Sequence, residues 1–241
     1  MNIVAVIPAR YGSSRLPGKP LKMIGDKPML WWVYQNVKRS QIINGIYVAT
    51  DDVRISNMCQ EYNINCIMTS TKHLTAANRM QEVSEIISAD FYLQVNGDEP
   101  LINLKAIEKA IPEQIPQDIE FGTNIVTKII SPTHVFDSSN IKVVFDEKYK
   151  MLYMSRTPIP YPFKNIEFDY YKHVGIIGYN KKMLDFYATS LPGKLERIEG
   201  IDTLRFLDYG KKLQCIICED CDSISVDTEK DLELVRKIIC L

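Results

Sequence analysis

Short apolar runs and helix-period patterns alternate along the first part of the chain. The runs, which are typical of strands buried on both faces of a sheet, lie at 3–7, 45–50, 65–69 and 91–95. Patterns with one apolar side, which predict helices, cover about 28–39, 53–62 and 80–88. Asp51 and Asp52 directly precede the second helix and can cap it. This alternation predicts a Rossmann-like, doubly wound and mostly parallel α/β sheet.

The pattern changes in the middle of the chain, where strands follow one another without helices between them. Predicted strands lie at about 121–127, 140–146, 150–155 and 171–179, with a hairpin turn at 146–149. A helix from about Lys181, a strand at 212–218 and a helix from Asp227 to Ile239 complete the chain. A chain of 241 residues can hold one large α/β domain or two small ones. We expect a single domain over 1–241, with a smaller antiparallel subregion at 119–180.

A charged loop follows the first predicted strand. It carries Arg10, Arg15 and Lys19 among two glycines and two serines. The backbone N–H groups of such a loop can surround an anion while the cations supply charge. Ligands of open α/β sheets lie beyond the carboxyl ends of the strands, so the position suits a phosphate site. The spacing matches neither G-x-x-x-x-G-K-[ST] nor G-x-G-x-x-G, and a solvated basic turn is the alternative.

A carboxylate follows the predicted strand at 91–95. Asp98 belongs to the sequence N-G-D-E-P, in which the glycine opens the turn. A carboxylate at this end of a strand can hold a Mg²⁺ ion bound to a triphosphate. The alternative is that Asp98 caps the next helix. That role suits Asn103 better, because Asn103 lies closer to the predicted helix start.

Three sequence blocks together resemble one family of enzymes. They are I-P-A-R-Y-G-S-S-R-L-P-G-K-P at 7–20, V-N-G-D-E-P at 95–100 and V-D-T-E-K-D-L at 226–232. Their order and distances are similar to those of the 3-deoxy-manno-octulosonate (Kdo) cytidylyltransferase family, in which the last two blocks read V-Q-G-D-E-P and V-D-T-P-E-D-L. The resemblance covers nearly the whole chain. It implies CTP and an acidic sugar as substrates, Mg²⁺ as cofactor, and a homodimer formed through the middle strands.

The resemblance also implies which residues bind the nucleotide and carry the catalysis. Arg15 and Lys19 would bind the leaving phosphates, and Asp98 and Asp227 would hold Mg²⁺; these four are the expected catalytic set. Asp227 has an alternative role as the N-cap of the last helix. The expected nucleotide contacts are Pro8, Ala9, Arg10, Ser13, Ser14, Arg15, Lys19, Thr75, Arg79, Asn96 and Gly97.

An acceptor site is implied as well, and here the chain departs from the family. Arg156 would meet the acceptor's carboxylate, because a guanidinium pairs with that group through two bonds. Of the family's block H-x-S-G-T-[ED]-R, this chain keeps only the first and last residues, His73 and Arg79. At position 203 it has a threonine, where the family has a glutamine that is expected to touch the sugar. The expected acceptor contacts are Arg156, His173, Glu199, Thr203 and Asn78. A surface role for the arginine and a core role for the histidine are the alternatives.

Composition narrows the class of protein. The formal net charge of −1 argues against a nucleic-acid or anionic-membrane partner, since both attract basic proteins. No apolar run reaches the roughly 18 residues of a membrane span, and no signal-peptide pattern opens the chain. A cytoplasmic location is therefore expected.

Six cysteines leave a metal site or a disulfide to consider. Cys215, Cys218 and Cys221 are spaced like part of a metal site, but residues three apart on a strand point to opposite faces. No second cysteine pair or nearby histidine completes such a site. We expect neither a metal nor a disulfide, and the isolated Cys59, Cys66 and Cys240 read as small core residues.

These expectations define a reaction in which an acceptor and CTP give a CMP–acceptor and pyrophosphate. No Ser-His-Asp or Cys-His set is evident, which suits direct displacement at the α-phosphorus. Two alternatives are the same chemistry on another acidic acceptor and a nucleotide-binding relative without catalysis. The changes at 75–78 and at Thr203 predict weak turnover of Kdo and better turnover of an amino- or deoxy-substituted relative.

Overall fold

The strands and helices follow the order that the apolar pattern predicts. The computed structural model describes residues 1–13, 15–164 and 167–240. Its strands are β1 (Ile3–Ala9), β2 (Met23–Ile24), β3 (Lys27–Pro28), β4 (Gly45–Thr50), β5 (Cys66–Met68), β6 (Phe91–Val95), β7 (Gly122–Lys128), β8 (Lys142–Phe145), β9 (Met151–Ser155), β10 (Tyr171–Tyr179) and β11 (Gln214–Ile217). Its α-helices are α1 (Met29–Lys38), α2 (Val53–Glu61), α3 (Ala76–Ile86), α4 (Leu104–Lys109), α5 (Pro132–Phe136), α6 (Lys181–Thr189), α7 (Lys194–Glu199), α8 (Leu204–Asp208) and α9 (Glu229–Ile239), and a short 3₁₀ helix covers Lys19–Leu21. None of the described helices is long and apolar enough to cross a membrane.

The central sheet is mostly parallel, as predicted. Its strands lie in the order β11-β7-β10-β6-β1-β4-β5. β1 pairs in parallel with both β4 and β6, β4 pairs in parallel with β5, and β11 pairs in parallel with β7. Along this path β10 alone runs opposite to its neighbours β6 and β7. The predicted fold class is confirmed.

The antiparallel part is smaller than expected and is continuous with the central sheet. Two of the four strands predicted for 119–180, β7 and β10, lie within the main sheet. β8 and β9 form an antiparallel hairpin that joins this sheet through β8 and the start of β10. The strand pattern predicted the elements but not this continuity, because pairing partners far apart in sequence leave no trace in local periodicity.

Both faces of the central sheet are covered, which explains the continuous apolar runs in its inner strands. Along β1 and β6, side chains alternate between two core clusters, so Ala5 and Ile7 face one and Val4 and Val6 the other. The first cluster packs against α1, α2 and α4, and the second against α3, α6 and α8. A strand buried on both faces needs no polar alternation.

The helix caps show which acidic residues have a structural role. Asp52 and Asn103 are N-caps, as the sequence suggested. The last helix is capped by Thr228 and Asp231, which form a capping box, and not by Asp227. The cap interpretation of Asp227 was therefore wrong, and its carboxylate is free to point elsewhere.

The cysteines differ from the expectation at two places. Cys240 is exposed, so the prediction that it is a core residue was wrong. Cys218 and Cys221 are buried and form a disulfide. The alternation argument does not apply to them, because β11 ends at Ile217 and the chain then turns back through Asp220, which has a φ of 58°. Turns of this kind bring residues three apart together, whereas an extended strand keeps them apart. Within the described residues no group of three or more His, Cys, Asp or Glu could hold a metal ion.

Candidate active site

A cleft of about 970 Å³ opens at the carboxyl ends of β1 and β6. Its walls come from the loop after β1, the start of α3, the loop after β6, the turn between α7 and α8, and the segment before α9. The parallel strands of an open α/β sheet bring such loops together at one edge. Most of the sequence-predicted site residues lie on this cleft.

The charged loop after β1 is closed on itself before it reaches Lys19. The N–H of Gly18 donates to the carbonyl oxygen of Tyr11 at 3.0 Å. Gly18 has a φ of 67° and lies against the Tyr11 ring, where an added Cβ would come within 3.1 Å of ring atoms. Glycine tolerates this left-handed conformation, and most other residues do not. The closed loop sets Lys19 at the start of the short 3₁₀ helix.

Four charged side chains meet at the mouth of the cleft. The Lys19 ammonium contacts Asp98 Oδ2 at 2.7 Å and Asp227 Oδ1 at 3.1 Å. Arg15 contacts the same Asp227 oxygen at 3.0 Å. Burial alone would lower the pKa of Lys19, but the two carboxylates outweigh it and raise that pKa, so the ammonium stays charged. These are the four residues that the sequence predicted as a set.

The loops that carry the two carboxylates are fixed to each other. The N–H of Val226 donates to the carbonyl oxygen of Asp98 at 2.8 Å. Gly97 packs tightly, since an added Cβ would lie 3.2 Å from the carbonyl oxygen of Pro8. Asp98 Oδ1 is buried and has no hydrogen-bond partner in the described part of the chain. A buried carboxylate oxygen of this kind is suited to a cation or a ligand donor.

The predicted nucleotide contacts that lie on the cleft are Pro8, Ala9, Arg10, Ser13, Arg15, Lys19, Thr75, Arg79, Asn96 and Gly97. Ser14 falls outside the described residues. Ser13 Oγ accepts the N–H of Leu16 at 3.3 Å, and the N–H of Asn96 donates to the carbonyl oxygen of Gly175 at 2.8 Å. The first bond shapes the loop after β1, and the second fixes the loop after β6 to β10.

Arg79 is buried and already has partners. Its guanidinium contacts the Asp51 carboxylate at 3.1 Å and donates to Thr69 Oγ1. Asp51 follows β4 and Thr69 follows β5, so this arginine joins the ends of two strands to α3. Its place on the cleft wall is thus held by protein contacts that do not depend on a ligand.

Two predicted acceptor contacts do not reach the cleft. Asn78 Oδ1 accepts the hydroxyl of Thr75 at 2.8 Å, so the amide turns back to the N-cap of α3. Glu199 accepts the hydroxyl of Ser155 at 2.7 Å and the backbone N–H of Arg156 at 3.0 Å, which fixes it to the end of β9. Neither lines the cleft, so the prediction that both face an acceptor there is corrected. Each of these side chains is held by local hydrogen bonds, and the spacing of residues in the sequence does not reveal such bonds.

Three other predicted acceptor contacts do line the cleft: Arg156, His173 and Thr203. The Arg156 guanidinium donates to the carbonyl oxygens of Glu199 at 2.9 Å and Ser138 at 3.0 Å. These bonds occupy part of its donor set and fix its direction. A guanidinium has five N–H groups, so donors remain for a ligand.

His173 presents a neutral imidazole to the cleft. Burial, with a smaller contribution from the neighbouring Lys172, lowers the pKa of His173 to about 4. Its Nδ1 lies 2.9 Å from the side-chain nitrogen of Asn124. Near neutral pH this ring can exchange hydrogen bonds with a ligand but carries no charge.

The turn between α7 and α8 rests on a buried ion pair. Glu196 receives two bonds from the Arg205 guanidinium, at 2.7 and 2.6 Å, and the two side chains are 8% and 4% exposed. Glycine at 193 lets the chain pass close to Asp208, whose carboxylate oxygen would lie 2.1 Å from an added Cβ. The pair fixes the wall that carries Asp202 and Thr203.

Sequence reasoning missed several polar residues of the cleft. Gln94 lies in the buried strand β6 and is 2% exposed, and a polar residue inside an apolar run was the available signal. Lys172 pairs with Asp222 across the cleft wall. Glu99 is buried and accepts the N–H of Gly175 at 2.8 Å, and burial together with the Asp98 charge raises its pKa to about 7. Asp202 also lines the cleft.

Comparison with known protein families defines the class of this chain. A family model described as cytidylyltransferase matches residues 4–213. The chain belongs to the cytidylyltransferase family and is a CTP-using nucleotidyltransferase. The resemblance seen in the three sequence blocks is confirmed.

Particular relatives narrow this class. The chain is 39% identical to a 3-deoxy-manno-octulosonate cytidylyltransferase from Fusobacterium nucleatum over 99% of its own length and 97% of the relative's. It is 36% identical to an 8-amino-3,8-dideoxy-manno-octulosonate cytidylyltransferase from Shewanella oneidensis, over 96% of each chain. A solved structure of CMP:2-keto-3-deoxy-manno-octonic acid synthetase complexed with CTP is 34% identical, with a TM-score of 0.92 and coverage of 100% of this chain and 99% of that one.

Proposed function

We propose that this enzyme transfers CMP from CTP to a 3-deoxy-ulosonate and releases pyrophosphate. Relatives that span almost the whole chain have the names of such enzymes. The observation that carries the proposal is the meeting of Lys19, Arg15, Asp98 and Asp227 at one mouth of the cleft. Two cations suit the phosphates, and two carboxylates suit a bound cation.

The same cluster fits Mg²⁺, which we propose as the cofactor. Mg²⁺ is usually held by one or two carboxylates together with substrate phosphates and water, and Asp98 and Asp227 supply such a pair. Asp98 Oδ1, which has no hydrogen-bond partner among the described residues, is an available ligand atom. When bound, the ion would supply positive charge to the phosphates and to the attacking oxygen.

The chain's own residues would act by binding and orienting. In the reaction a hydroxyl oxygen of the acceptor bonds to the α-phosphorus, and the bond from that phosphorus to the bridging oxygen breaks. The pyrophosphate leaves with the electron pair, and the hydroxyl proton passes to solvent. Lys19 and Arg15 would bind the departing phosphates, since both cations face the cleft mouth. Holding the two reactants in line accounts for much of the catalysis in transfers of this kind.

For the acceptor, we propose a preference for an amino- or deoxy-substituted ulosonate over Kdo itself. The similarity to Kdo and 8-amino-Kdo enzymes is nearly equal, at 39% and 36% identity. Thr203 is 3% exposed and lines the cleft, where a short hydroxyl replaces a longer amide. A site built for one pattern of hydroxyl groups rejects another, because buried polar groups are left unpaired.

A pyrophosphate-release assay tests both parts of this proposal. It compares CTP with ATP, GTP and UTP, and Kdo with its 8-amino and 8-deoxy relatives, at fixed Mg²⁺ and after its removal by a chelator. We expect CTP and Mg²⁺ to be required and Kdo to be the poorer acceptor. If kcat/KM for Kdo were about 10⁴ M⁻¹s⁻¹ or more and equal to the values for the 8-amino and 8-deoxy acids, the proposed preference would be wrong. The proposed cytidylyl transfer would still stand.

We also propose that the enzyme forms a homodimer through the face around α5 and the loop before β10. Large apolar side chains are exposed there: Ile130, Phe136, Tyr161, Phe163 and Phe168. Ile130, Phe136 and Phe168 line one surface pocket, and exposed apolar surface of this kind is typical of an interface. Light scattering on the wild type and on Phe136→Glu tests this: we expect a dimer that the substitution weakens, with Leu74→Glu as the exposed control elsewhere. A monomeric wild type would contradict it.

A further inference from the structure

Two cations contact the carboxylates that we propose as Mg²⁺ ligands. The Lys19 ammonium lies 2.7 Å from Asp98 Oδ2 and 3.1 Å from Asp227 Oδ1. The Arg15 guanidinium lies 3.0 Å from that same Asp227 oxygen. Within this cluster, two positive charges balance two negative ones. A divalent cation that joined the cluster would leave an excess of positive charge, whereas a triphosphate would supply negative charge.

The remaining oxygen of Asp98 does not let a metal ion avoid the ammonium. Asp98 Oδ1 has no hydrogen-bond partner among the described residues, but Lys19 contacts the other oxygen of the same carboxylate. An ion on Oδ1 would therefore lie close to a like charge. The side chains of Lys19, Asp98 and Asp227 are 13%, 25% and 19% exposed, so water and salt screen this repulsion only in part. The ammonium and a divalent cation thus compete for the two carboxylates.

The side chain of Lys19 is the part of the cluster that can move. The loops that carry the carboxylates are joined by the bond from the N–H of Val226 to the carbonyl oxygen of Asp98, at 2.8 Å. The backbone of Lys19 is fixed as well, because its N–H donates to Leu16 at 3.2 Å and its carbonyl oxygen accepts from Lys22 at 3.1 Å. A lysine carries its ammonium on a flexible four-carbon stem. Rotation about the bonds of this stem can move the charge without moving either loop.

We infer that Lys19 keeps a divalent cation off Asp98 and Asp227 until the phosphates of a bound nucleotide attract its ammonium away from them. The two ligands are then coupled, since each binds better once the other has bound. The inference rests on the proposed function and adds an order to it: the metal ion enters with the nucleotide or after it. Arg15, whose side chain is 58% exposed, contributes less to this exclusion because water screens its charge.

The test titrates the protein with Mn²⁺ in the absence of nucleotide, with free Mn²⁺ measured by electron paramagnetic resonance. Mn²⁺ suits carboxylate and water ligands, as Mg²⁺ does. Lys19→Met should bind Mn²⁺ at least about tenfold more tightly than the wild type. The reason is that an opposite charge within about 4–6 Å changes the proton affinity of a carboxylate by about 10- to 1,000-fold, and a metal ion competes in the same way. Arg15→Met should gain about fivefold or less.

A second titration measures the binding of CTP by calorimetry with a chelator present. Lys19→Met should bind this metal-free CTP at least about tenfold more weakly, because a charge-assisted bond to phosphate is lost. Opposite effects on the two ligands separate exclusion from a purely structural role, since a loop without its anchor would bind both ligands more weakly. Lys19→Arg keeps the positive charge and should keep the weak binding of Mn²⁺.

Lys22→Met is the matched control. Lys22 lies three residues further along the chain, where its ammonium is 3.9 Å from the exposed Glu229 carboxylate, and we expect this variant to keep the wild-type affinity for Mn²⁺. An equal gain in Lys22→Met would overturn the inference, as would unchanged or weaker Mn²⁺ binding in folded Lys19→Met. A gain that survives the addition of Asp98→Asn to Lys19→Met would also overturn it, because the ion would then bind elsewhere. Failure of pyrophosphate release with CTP and every acid would instead overturn the proposed function, and the Mn²⁺ titration, which contains no nucleotide, tells the two failures apart.

Discussion

The charged residues on the two sides of the cleft differ in their burial and in their partners. On the side of the loop after β1, Lys19, Arg15, Asp98 and Asp227 are partly exposed and contact one another directly. On the side of α7 and α8, the ion pair of Glu196 and Arg205 is buried within the wall. The first group is free to exchange partners with a ligand, while the second holds a surface in place.

This contrast explains where the chain follows its family and where it departs. Under the proposed function, the charges that would bind phosphates and Mg²⁺ must all be present, and the three sequence blocks preserve them. The wall of α7 and α8, where we propose that the acceptor binds, needs only to stay in place, so its cleft-facing positions can change while its support stays the same. The departures at Thr75 and Thr203 both occur on or next to this supported wall.

The largest effect should come from breaking the ion pair that supports the wall of α7 and α8. Arg205→Ala leaves Glu196 as an unpaired buried carboxylate, which typically costs about 3–5 kcal/mol of unfolding free energy. Urea denaturation would measure it. Lys181→Ala, which breaks the more exposed pairs with Glu85 and Asp185, is the control and should cost about 1 kcal/mol or less. Equal losses in the two variants would remove the distinction between the two sides.

Substitution of Asp98 or Asp227, the proposed Mg²⁺ ligands, should affect the rate without affecting stability. Asp98→Asn and Asp227→Asn each remove one charge with almost no change of shape. We expect each to lower kcat on the order of 10²-fold, as loss of a group that stabilises transition-state charge typically does. Steady-state kinetics at saturating Mg²⁺ and thermal melts together measure this. If one variant kept more than half of the activity, that aspartate would not be a ligand.

Lys19 and Arg15, in and just after the loop that follows β1, should contribute more to the affinity for CTP than to the affinity for CMP. Lys19→Ala and Arg15→Ala remove contacts expected at the β- and γ-phosphates, each charge-assisted bond being worth about 1.5–3 kcal/mol. The binding of CTP should weaken more than that of CMP in a calorimetric titration. Similar losses for both nucleotides would move these side chains to the ribose or the base.

The smallest effect concerns the support of the loop after β1. Arg54 lies over the Tyr11 ring, 3.2 Å from its centroid, and is held by Asp52 through bonds of 2.9 and 2.7 Å. Because this contact is exposed, Arg54→Ala should raise the KM for CTP only about two- to fivefold, with kcat unchanged. Arg54→Lys should keep part of the effect. A change confined to kcat would contradict a role in holding the loop.

More of the fold than of the site could be predicted from the sequence. Burial produces a periodic pattern of apolar residues, whereas the direction of a polar side chain leaves no such pattern. The apolar runs of β1, β4 and β6 are visible in sequence since these strands are buried on one or both faces. Asp98 and Asp227 could be found because they follow strand ends or precede a helix in family-like blocks. Asn78 and Glu199 could not be judged, because a local hydrogen bond decides which way each side chain turns.

The contact between Lys19 and Asp227 joins residues 208 positions apart in the chain. A site assembled from such distant segments cannot exist on a growing polypeptide until Asp227 has been made and has left the ribosome. At synthesis rates of about 5–20 residues per second, the strands of the amino-terminal half have several seconds to fold before the second aspartate is made. A chain that stops before position 227 would keep the loop after β1 and lack the Asp227 carboxylate, so Lys19 and Arg15 would lose one of the partners that complete the charged cluster.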